Sequence, residues 1–574
     1  MATRLNFSTE QFSLPGLKCL RSYQSAWLRR DTIAGITVAA YLIPQCMAYA
    51  ELAGVQPIAG LWAILPPMLI YALLGSSPQL SVGPESTTAV MTAAAISPLL
   101  RGNGDNYASS CSLLALLVGI VCFVGAFARL GFLADLLSKP ILVGYMAGVA
   151  VIMIVGQLGK ISGMSLEAES LFGQIGEFVG RLSDIHLLTL VLAVSVLIFL
   201  LVVQRRFPNV PGPLLAVLLA TLAVYLFHLN AQGIAVIGEI PAGLPSLKLP
   251  SGFSPQQIVY LLSSAIGIAL VGYSDNVLTA RAFGAKNNYR IDANQELLAL
   301  GAVNIGNGMM QGFPVSSSGS RTAIGDSLGS RSQVFSLVAF ILVILVLLFL
   351  RPLLSLFPKA ALGAIVIYAA LRLIEISEFK RLRRFKTSEF RLAIVTMFGV
   401  LATDILVGVG VAVGLSVIDL FTRLMRPHDA VLGKVPNLAG LHDIEDWSGA
   451  TTIPGLVLYR YDAPLCFANA ENFRKRAIKA IEAEKIPVEW FVLNADAVLE
   501  IDITAVDMLK DLHRELIARG ITLAMARVKQ DLYLQLRKAG IIDAIGAEKI
   551  YPTLHGAIEA FANRNPTRLS DYWE

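Results

Sequence analysis

The chain has 574 residues, of which 55% are hydrophobic and only 15% are charged. A soluble protein carries roughly 25% charged residues, so this composition excludes a soluble single-domain enzyme. Five cysteines in a chain of this length also exclude a disulfide-based scaffold. The charge is unevenly spread, because 36 of the 87 charged residues lie between Gly440 and Glu574. The preceding part is strongly apolar and net basic, which predicts a membrane domain followed by a soluble one.

Apolar stretches that could cross a bilayer recur through the first three quarters of the chain. A helical span needs about 20 apolar residues, and such stretches occur at 31–50, 57–74, 110–128, 132–157, 185–204, 211–229, 257–280, 291–310, 333–351, 358–374, 389–406 and 407–425. Two further segments, 84–98 and 319–330, are too short and polar to cross alone. We therefore predict an α-helical membrane protein with 14 transmembrane segments.

The predicted domains follow from this pattern. They are a cytoplasmic N-terminal segment at 1–30, a transmembrane domain at 31–428, a linker at 429–453, a soluble domain at 454–565 and a C-terminal tail at 566–574.

Basic clusters predict how the chain is oriented in the membrane. They lie at Arg29/Arg30, Arg205/Arg206, Arg281 to Arg290, Lys380 to Arg391 and Arg423/Arg426. If each short segment counts as one pass, all five clusters fall on one side, and the acidic linker with Glu167, Glu169 and Glu177 falls on the other. The positive-inside rule then places both termini in the cytoplasm, with the chain in the cell (inner) membrane. Short basic loops are the ordinary topology signal, so no nucleic-acid partner is expected.

The two short segments have similar sequences. The first reads PQLSVGPESTT from Pro78 to Thr88, and the second reads GFPVSSSGSRT from Gly312 to Thr322. Each places Gly and Pro before a Ser or Thr at the N-cap of a small-residue helix. They are the third and tenth of fourteen segments, so each is the third element of a seven-segment half. Such a pair predicts a binding site at the membrane midplane between two inverted repeats.

The N-terminal ends of these two half-helices predict an anion site. A helix N-terminus carries unpaired N–H groups and a partial positive charge of about +0.5. Two such ends that face each other can bind an anion without many formal charges in the bilayer. Arg321 adds a full positive charge just inside the second half-helix, and an intramembrane arginine is a functional-site candidate. The alternative is that Arg321 reaches a membrane surface or forms a structural pair.

At these residues the chain resembles the sulfate permease (SulP) family, which includes bacterial and plant sulfate transporters, animal anion exchangers and prestin. In the first span, IPQCMAYA from Ile43 to Ala50 is similar to the family's Pro-Gln-Gly-Met-Ala-Tyr-Ala signature. LSVGP at 80–84 and FPV at 313–315, followed by Ser320-Arg321, extend the match over nearly the whole chain. The resemblance implies a 7+7 inverted repeat whose core and gate domains move in an elevator-like manner.

The resemblance also implies which residues bind the anion. They are Gln45 and Tyr49 of the first helix, Glu85 and Ser86 of the third, and Ser318, Gly319, Ser320 and Arg321 of the tenth. Animal members have an apolar residue where this chain has Glu85. A carboxylate there repels an anion unless it is protonated or paired, so we expect Glu85 to pair with Arg321 in the empty site. Glu85 is then a proton-coupling group or a placeholder for the substrate, and the alternative is a structural helix cap that points away.

Asp275 and Thr279 are the candidate cation-coupling residues. They lie four residues apart and share one face of the eighth helix. An acid at the end of an apolar run is either interfacial or part of a cation site. The pair resembles the Asp…Thr pair that cyanobacterial bicarbonate transporters of the family use for sodium, and the acid that plant members use for protons. We expect H+ ahead of Na+ as the coupling ion, with a structural carboxylate as the alternative. No other cofactor and no metal centre are expected.

The soluble part has a different pattern. From Pro454, strands alternate with amphipathic helices, which predicts a small cytoplasmic α/β domain. FVLNAD at 491–496 and IDITA at 501–505 resemble the sulfate transporter and anti-sigma factor antagonist (STAS) motif. The position of Thr504 is a phosphorylated serine in the anti-sigma antagonists, so Thr504 is a candidate regulatory residue, and the alternative is a helix N-cap. We expect this domain to bind a cytoplasmic regulator or to form dimer contacts.

These observations predict a transporter rather than an enzyme. The expected function is secondary active uptake of sulfate by proton symport, with sodium-coupled bicarbonate or proton-coupled dicarboxylate transport as alternatives. A passive anion channel and a STAS-based sensor are alternatives of other classes. The expected partners are a small inorganic or carboxylate anion, the lipid bilayer and a second copy of the chain in a homodimer.

Overall fold

The computed structural model describes residues 14–100, 106–135, 138–168, 170–207, 210–241, 243–403 and 405–563. Part of the predicted N-terminal segment (1–13), Glu169 and the predicted tail (566–574) lie outside the described residues. The chain divides into two compact units, the first ending at Ser416 and the second beginning at Val417.

The first unit is helical apart from two very short strands. The first half of the unit contains α1 Pro15–Arg21, α2 Leu28–Leu52, α3 Pro57–Ala63, α4 Leu65–Leu74, β1 Val82–Gly83, α5 Ser86–Ile96, α6 Tyr107–Phe127, α7 Lys139–Gly156, α8 Leu158–Ser162, α9 Leu171–Gly180, α10 Leu187–Arg206 and α11 Gly212–Leu226. The second half contains α12 Pro255–Asn287, α13 Ala293–Met309, β2 Ser316–Ser317, α14 Gly319–Ser327, α15 Val334–Phe349, α16 Arg351–Leu354, α17 Lys359–Leu373, α18 Ile376–Phe385, α19 Thr387–Ala402 and the first part of α20 Ile405–Met425, within which the division at Ser416 falls.

Each of the fourteen predicted segments contains a helix. The segment predicted at 57–74 is divided into α3 and α4 because Pro66 and Pro67 have no N–H to continue the helical hydrogen bonds. By length and hydropathy alone, eight helical stretches of the described chain could cross a membrane, and α11 and α15 are shorter apolar helices. The unit is therefore a multi-pass membrane domain.

A crossing of two extended segments lies inside the first unit. Strands β1 and β2 pair antiparallel, with Val82 opposite Ser317 and Gly83 opposite Ser316. Each strand leads within three residues into a half-helix, α5 or α14. Because the strands are antiparallel, the two half-helices leave the crossing in opposite directions. Both helix N-termini are therefore located at the crossing.

Helix α12 packs directly against this crossing. Its Gly272 has no side chain, and a Cβ atom built there would lie 3.4 Å from Cβ of Ser316 and 3.6 Å from Cγ2 of Thr88. These are van der Waals distances, so α12 approaches β2 and α5 as closely as a single added methyl group allows. Close approach at this point brings the following turns of α12, with Asp275 and Thr279, next to the helix N-termini.

The second unit is a six-stranded sheet covered by helices. Its strands are β3 Asp429–Lys434, β4 Leu441–Asp443, β5 Leu456–Tyr461, β6 Trp490–Asn494, β7 Thr522–Ala526 and β8 Ile550–Tyr551. Its helices are α21 Ala470–Glu482, α22 Ile503–Ala518, α23 Gln530–Lys538, α24 Ile541–Ile545 and α25 Leu554–Ala562. The strand order is β4-β3-β5-β6-β7-β8, in which β5 to β8 are parallel.

The structure differs from the predicted linker at 429–453. Strands β3 and β4 both lie in this stretch, and β3 pairs antiparallel with β5. These strands are short and their alternation is brief, so the sequence pattern did not distinguish them from a connecting segment. The sheet of the second unit therefore begins at Asp429.

Candidate functional site

A cavity of about 300 Å³ lies beside the β1–β2 crossing. Its lining residues lie in or beside α2, α5, α7, α11, α12, α14 and α17. Nine of the ten residues predicted for anion binding and cation coupling line it, namely Gln45, Tyr49, Glu85, Ser86, Asp275, Thr279, Ser318, Gly319 and Ser320. The remaining one, Arg321, does not.

Helix α2 contributes one polar face to the cavity. Tyr41, Gln45 and Tyr49 all line it, and their spacing of four residues places them on successive turns of one helix face. Gln45 Nε2 donates a hydrogen bond to Tyr49 Oη over 2.9 Å. Tyr41 was not predicted, although its position one turn before Gln45 was a sufficient signal.

The two half-helix N-termini have different caps. Glu85 is the N-cap of α5, since its Oε2 accepts from the Thr87 N–H over 2.7 Å and its Oε1 accepts from the Ser86 hydroxyl. Ser318 is the N-cap of α14, and its Oγ accepts from the Arg321 N–H over 3.5 Å. The prediction of a Ser or Thr cap is therefore correct for α14 and wrong for α5, where the carboxylate of Glu85 takes this role.

Arg321 is completely buried and directed at the crossing. Its Nη1 donates to the Pro84 carbonyl over 2.8 Å and to Gln45 Oε1 over 3.4 Å, and its Nε donates to Ser81 Oγ over 3.3 Å. The guanidinium thus joins the two half-helices and α2 from behind the cavity wall. Its positive charge acts on the cavity across this layer.

The expected pair between Glu85 and Arg321 does not form in the described chain. The Glu85 carboxylate is occupied by the N-terminal groups of its own helix, while Arg321 donates to neutral oxygens. The capping geometry competes with the ion pair because an ionised carboxylate is stabilised at a helix N-terminus. Glu85 nevertheless lines the cavity, so it does not point away from it as a purely structural cap would.

Asp275 and Thr279 lie together on the α12 face of the cavity, as their spacing predicted. Asp275 Oδ2 accepts a hydrogen bond from the Ser317 hydroxyl over 3.1 Å, which connects α12 to β2. A Cβ atom built at Gly319 would lie 4.0 Å from the Thr279 hydroxyl. The carboxylate of Asp275 and the hydroxyl of Thr279 therefore both lie beside the N-terminus of α14.

The cavity wall carries more negative than positive charge. Its carboxylates are Glu85, Asp275 and Glu375, and its one lining cation in the described chain is Arg372, whose Cζ lies 6.0 Å from the Tyr368 ring centroid. Arg372 and Glu375 were not predicted, because charges at the end of an apolar span are usually interfacial. Only the packing of α17 against the other helices brings them to the cavity.

Thr504, the candidate regulatory residue, lies in the second unit and is exposed in the first turn of α22. The N-cap of α22 is Asp502, whose side chain accepts from the Ala505 N–H over 2.8 Å and from the Phe467 N–H over 2.6 Å. The alternative reading of Thr504 as the helix N-cap is therefore wrong. Its hydroxyl is accessible on the surface of the unit.

Comparison with known sequences gives matches over most of the chain. The sulfate permease family matches residues 28–396, and the STAS domain matches residues 449–557. A probable sulfate transporter of Mycobacterium tuberculosis is 53% identical over 550 residues, which cover 96% of this chain and 98% of that protein. Probable sulfate transporter 4.2 of Arabidopsis thaliana is 32% identical over 577 residues, covering 96% of this chain and 84% of that protein.

Solved structures confirm the predicted fold class. The murine Solute Carrier 26 family member A9 anion transporter, in its inward-facing state, aligns with a TM-score of 0.88 at 22% identity, covering 98% of this chain and 97% of that one. The transmembrane domain of the cyanobacterial bicarbonate transporter BicA aligns with a TM-score of 0.60 at 22% identity, covering 69% and 98%. With these matches on both units, the chain belongs to the sulfate permease family and carries a C-terminal STAS domain.

Proposed function

We propose that the chain takes up sulfate by secondary active transport, with a cation moving in the same direction. The observation that carries this proposal is the composition of the cavity, in which two half-helix N-termini meet three carboxylates. The helix N-termini suit an anion, and the carboxylates suit a cation. One cavity then holds both species together, as symport requires.

The anion part of the site consists of backbone and hydroxyl donors. The N-termini of α5 and α14 supply partial positive charge, and the paired hydroxyls of Ser318 and Ser320 leave one proton to donate to an anion oxygen, whereas the Ser86 hydroxyl already donates to Glu85. Arg321 adds charge from behind the wall and holds the crossing in place, so it is a positioning residue in this proposal. Gln45 and Tyr49 complete the α2 side.

The coupling part follows from electrostatics. A divalent anion in a cavity with three carboxylates and one lining arginine is repelled unless protons or cations neutralise some of the carboxylates. Asp275, beside Ser317 and Thr279, is the site where we expect this neutralisation. A proton would remove the charge directly, and Na+ would use the same oxygen atoms as ligands.

The relatives named above support sulfate as the substrate. Both are called probable sulfate transporters, and the Mycobacterium tuberculosis protein matches along nearly its whole length. Bicarbonate and dicarboxylates remain the competing substrates in the experiment below. The elevator-like movement of a core domain against a gate domain is part of the proposal through the family to which the chain belongs.

Uptake by purified protein in proteoliposomes tests the proposal. Labelled sulfate, bicarbonate and succinate are each offered under an inward proton gradient and under an inward sodium gradient. We expect sulfate to accumulate above its external concentration under the proton gradient. Equilibration without accumulation under either gradient would instead identify a passive channel.

Asp275→Asn is the corresponding variant. We expect it to lose gradient-driven accumulation while retaining sulfate exchange without a gradient, because Asn cannot take up a proton or provide a charge for Na+. Asp292→Asn is the matched control, since Asp292 caps α13 outside the cavity and Asn caps helices equally well. Full accumulation by Asp275→Asn would contradict the coupling role.

Glu85→Gln separates the three roles of Glu85. If Glu85 couples protons, the variant loses the pH dependence of uptake, and if it is a placeholder, the variant binds sulfate more tightly at unchanged pH dependence. Gln can still accept a hydrogen bond from Thr87, so we expect the α5 cap to persist. Unchanged uptake and pH dependence would leave Glu85 as a helix cap only.

We also propose that the STAS domain receives a cytoplasmic regulator and that the chain acts as a homodimer in the inner membrane, with both termini cytoplasmic. A cavity of about 520 Å³ in the second unit supports the first of these. It lies at the carboxyl ends of β5, β6 and β7, where Arg460 and Arg527 line it. Carboxyl ends of parallel strands are the usual ligand position in α/β sheets.

A further inference from the structure

Helix α18 is a short basic helix between the apolar helices α17 and α19. Its apolar residues Phe379 and Leu382 pack against Val143 of α7 and Ala393 and Phe390 of α19. The rings of Phe379 and Phe390 meet edge to face, with centroids 6.4 Å apart. The helix is therefore fixed against the membrane domain by one face.

Helix α18 lies where three apolar helices begin or end. Helix α17 ends at Leu373, and α7 and α19 begin at Lys139 and Thr387, so the ends of three apolar helices meet here. The apolar side chains at the two ends of α18 are exposed, with Ile376 at 62% and Phe385 at 78%. A basic amphipathic helix with such exposed apolar residues lies at the level of the lipid headgroups.

A groove of about 640 Å³ separates α18 from the first residues of α7 and α19. Four cations line it, namely Lys139, Lys380, Arg381 and Arg384, against the two carboxylates of Glu378 and Glu389. Glu378 bonds Lys139 over 2.8 Å and Arg381 over 3.3 Å, so it holds these two cations at the groove. The groove keeps a net positive charge.

We propose that this groove binds the phosphate headgroup of an anionic phospholipid. The phosphate would lie among Lys380, Arg381 and Arg384, and the acyl chains would pass the exposed Phe385 toward the hydrocarbon. The net positive charge of the groove favours binding of an anionic headgroup. The exposed apolar residues beside the groove favour a lipid over a soluble anion. This site is separate from the transport cavity, but Glu375 lines that cavity and is the N-cap residue of α18. A bound lipid would therefore anchor one wall of the cavity.

Native mass spectrometry of the purified full-length protein tests the site. Phosphatidylglycerol and phosphatidylcholine are titrated separately, and inorganic phosphate is added as a competitor in a third arm. We expect tighter binding of phosphatidylglycerol, and removal of three groove charges in Lys380→Gln/Arg381→Gln/Arg384→Gln should weaken it about tenfold or more. The single variant Arg384→Gln should weaken phosphatidylglycerol binding about threefold. It gives a result even if the triple variant does not fold.

The matched control is Arg383→Gln/Lys386→Gln/Arg391→Gln, which removes the same charge from the same region outside the groove. We expect its binding of phosphatidylglycerol to stay within about twofold of the unmodified protein, and phosphatidylcholine binding to be unchanged in all variants. Equal weakening by both triple variants would overturn the site in favour of diffuse surface attraction. Displacement of the lipid by inorganic phosphate at equal concentration would identify a soluble anion as the ligand and would also overturn the proposal.

Discussion

At the scale of single residues, Glu296 of the membrane domain has an extensive hydrogen-bond network that the sequence pattern did not single out. It is fully buried in α13 and accepts from Tyr71 Oη, from the Ser76 N–H and Oγ, and from Asn276 Nδ2, over 2.7 to 3.0 Å. The Ser76 N–H and the Asn276 amide can only donate, and they reach different oxygens, so Glu296 accepts at both. Asn276 directly follows Asp275, so this network adjoins the candidate coupling residue.

We therefore predict that Glu296→Gln lowers the thermal stability of the purified protein by the equivalent of about 2–3 kcal/mol. The amide NH2 of Gln would face donors, which leaves at least one of them without an acceptor. The control Glu375→Gln should stay within about 0.5 kcal/mol because that side chain is exposed. Equal melting temperatures of the two variants would show that the carboxylate network does not stabilise the fold.

At the scale of helices and strands, hydropathy predicted the segments but not their internal geometry. All fourteen predicted segments contain helices because bilayer thickness and apolar length determine where a chain can cross. The roles of Glu85 and Arg372 were not predictable in the same way, since a cap depends on local backbone angles and a cavity wall depends on packing. Helix α18 was not predicted either, because its basic residues were interpreted only as a topology signal. Five of the nine candidate residues that line the cavity lie at the N-termini of the two adjacent half-helices, where the paired strands hold them together.

The contact between α2 and α3 provides a test of this helix packing. A Cβ atom at Gly60 would lie 1.9 Å from the Cys46 carbonyl oxygen, next to Gln45. Gly60→Ala must therefore move α3 away from α2, and we expect a loss of about 1–3 kcal/mol in stability together with reduced sulfate uptake. Gly156→Ala is the control, because nothing lies within 4 Å of the corresponding Cβ position. Wild-type uptake and stability of Gly60→Ala would contradict this packing.

At the scale of the whole molecule, the two units have separate hydrophobic cores suited to different solvents. The core of the first unit is built from helices of the membrane domain. The second unit has two hydrophobic cores, one on each face of its sheet. The STAS match begins at residue 449, but strand β3 starts twenty residues earlier and covers the edge of β5. Whether β3 is part of the stable STAS domain therefore depends on how much its pairing with β5 contributes to the free energy of folding.

The stabilities of two fragments, one with β3 and one without it, measure this contribution. Asp429 in β3 accepts from Arg476 over 2.8 Å and from the buried Tyr459 hydroxyl over 2.8 Å. Burial and the Asp429 carboxylate raise the pKa of Tyr459, so its hydroxyl keeps the proton that it donates. We expect fragment 427–563 to unfold cooperatively and to be soluble. Fragment 454–563 should lose about 3 kcal/mol or aggregate, because it exposes the β5 edge and leaves Tyr459 without its acceptor.

Urea unfolding followed by circular dichroism measures both fragments. Asp429→Ala in the longer fragment isolates the side-chain contribution and should cost about 1–3 kcal/mol, since the strand itself remains. The difference between this variant and the shorter fragment then reports the backbone pairing of β3 with β5. If the shorter fragment is as stable as the longer one, residues 429–453 are a linker, as the sequence alone predicted, and the pairing of β3 contributes nothing to the domain.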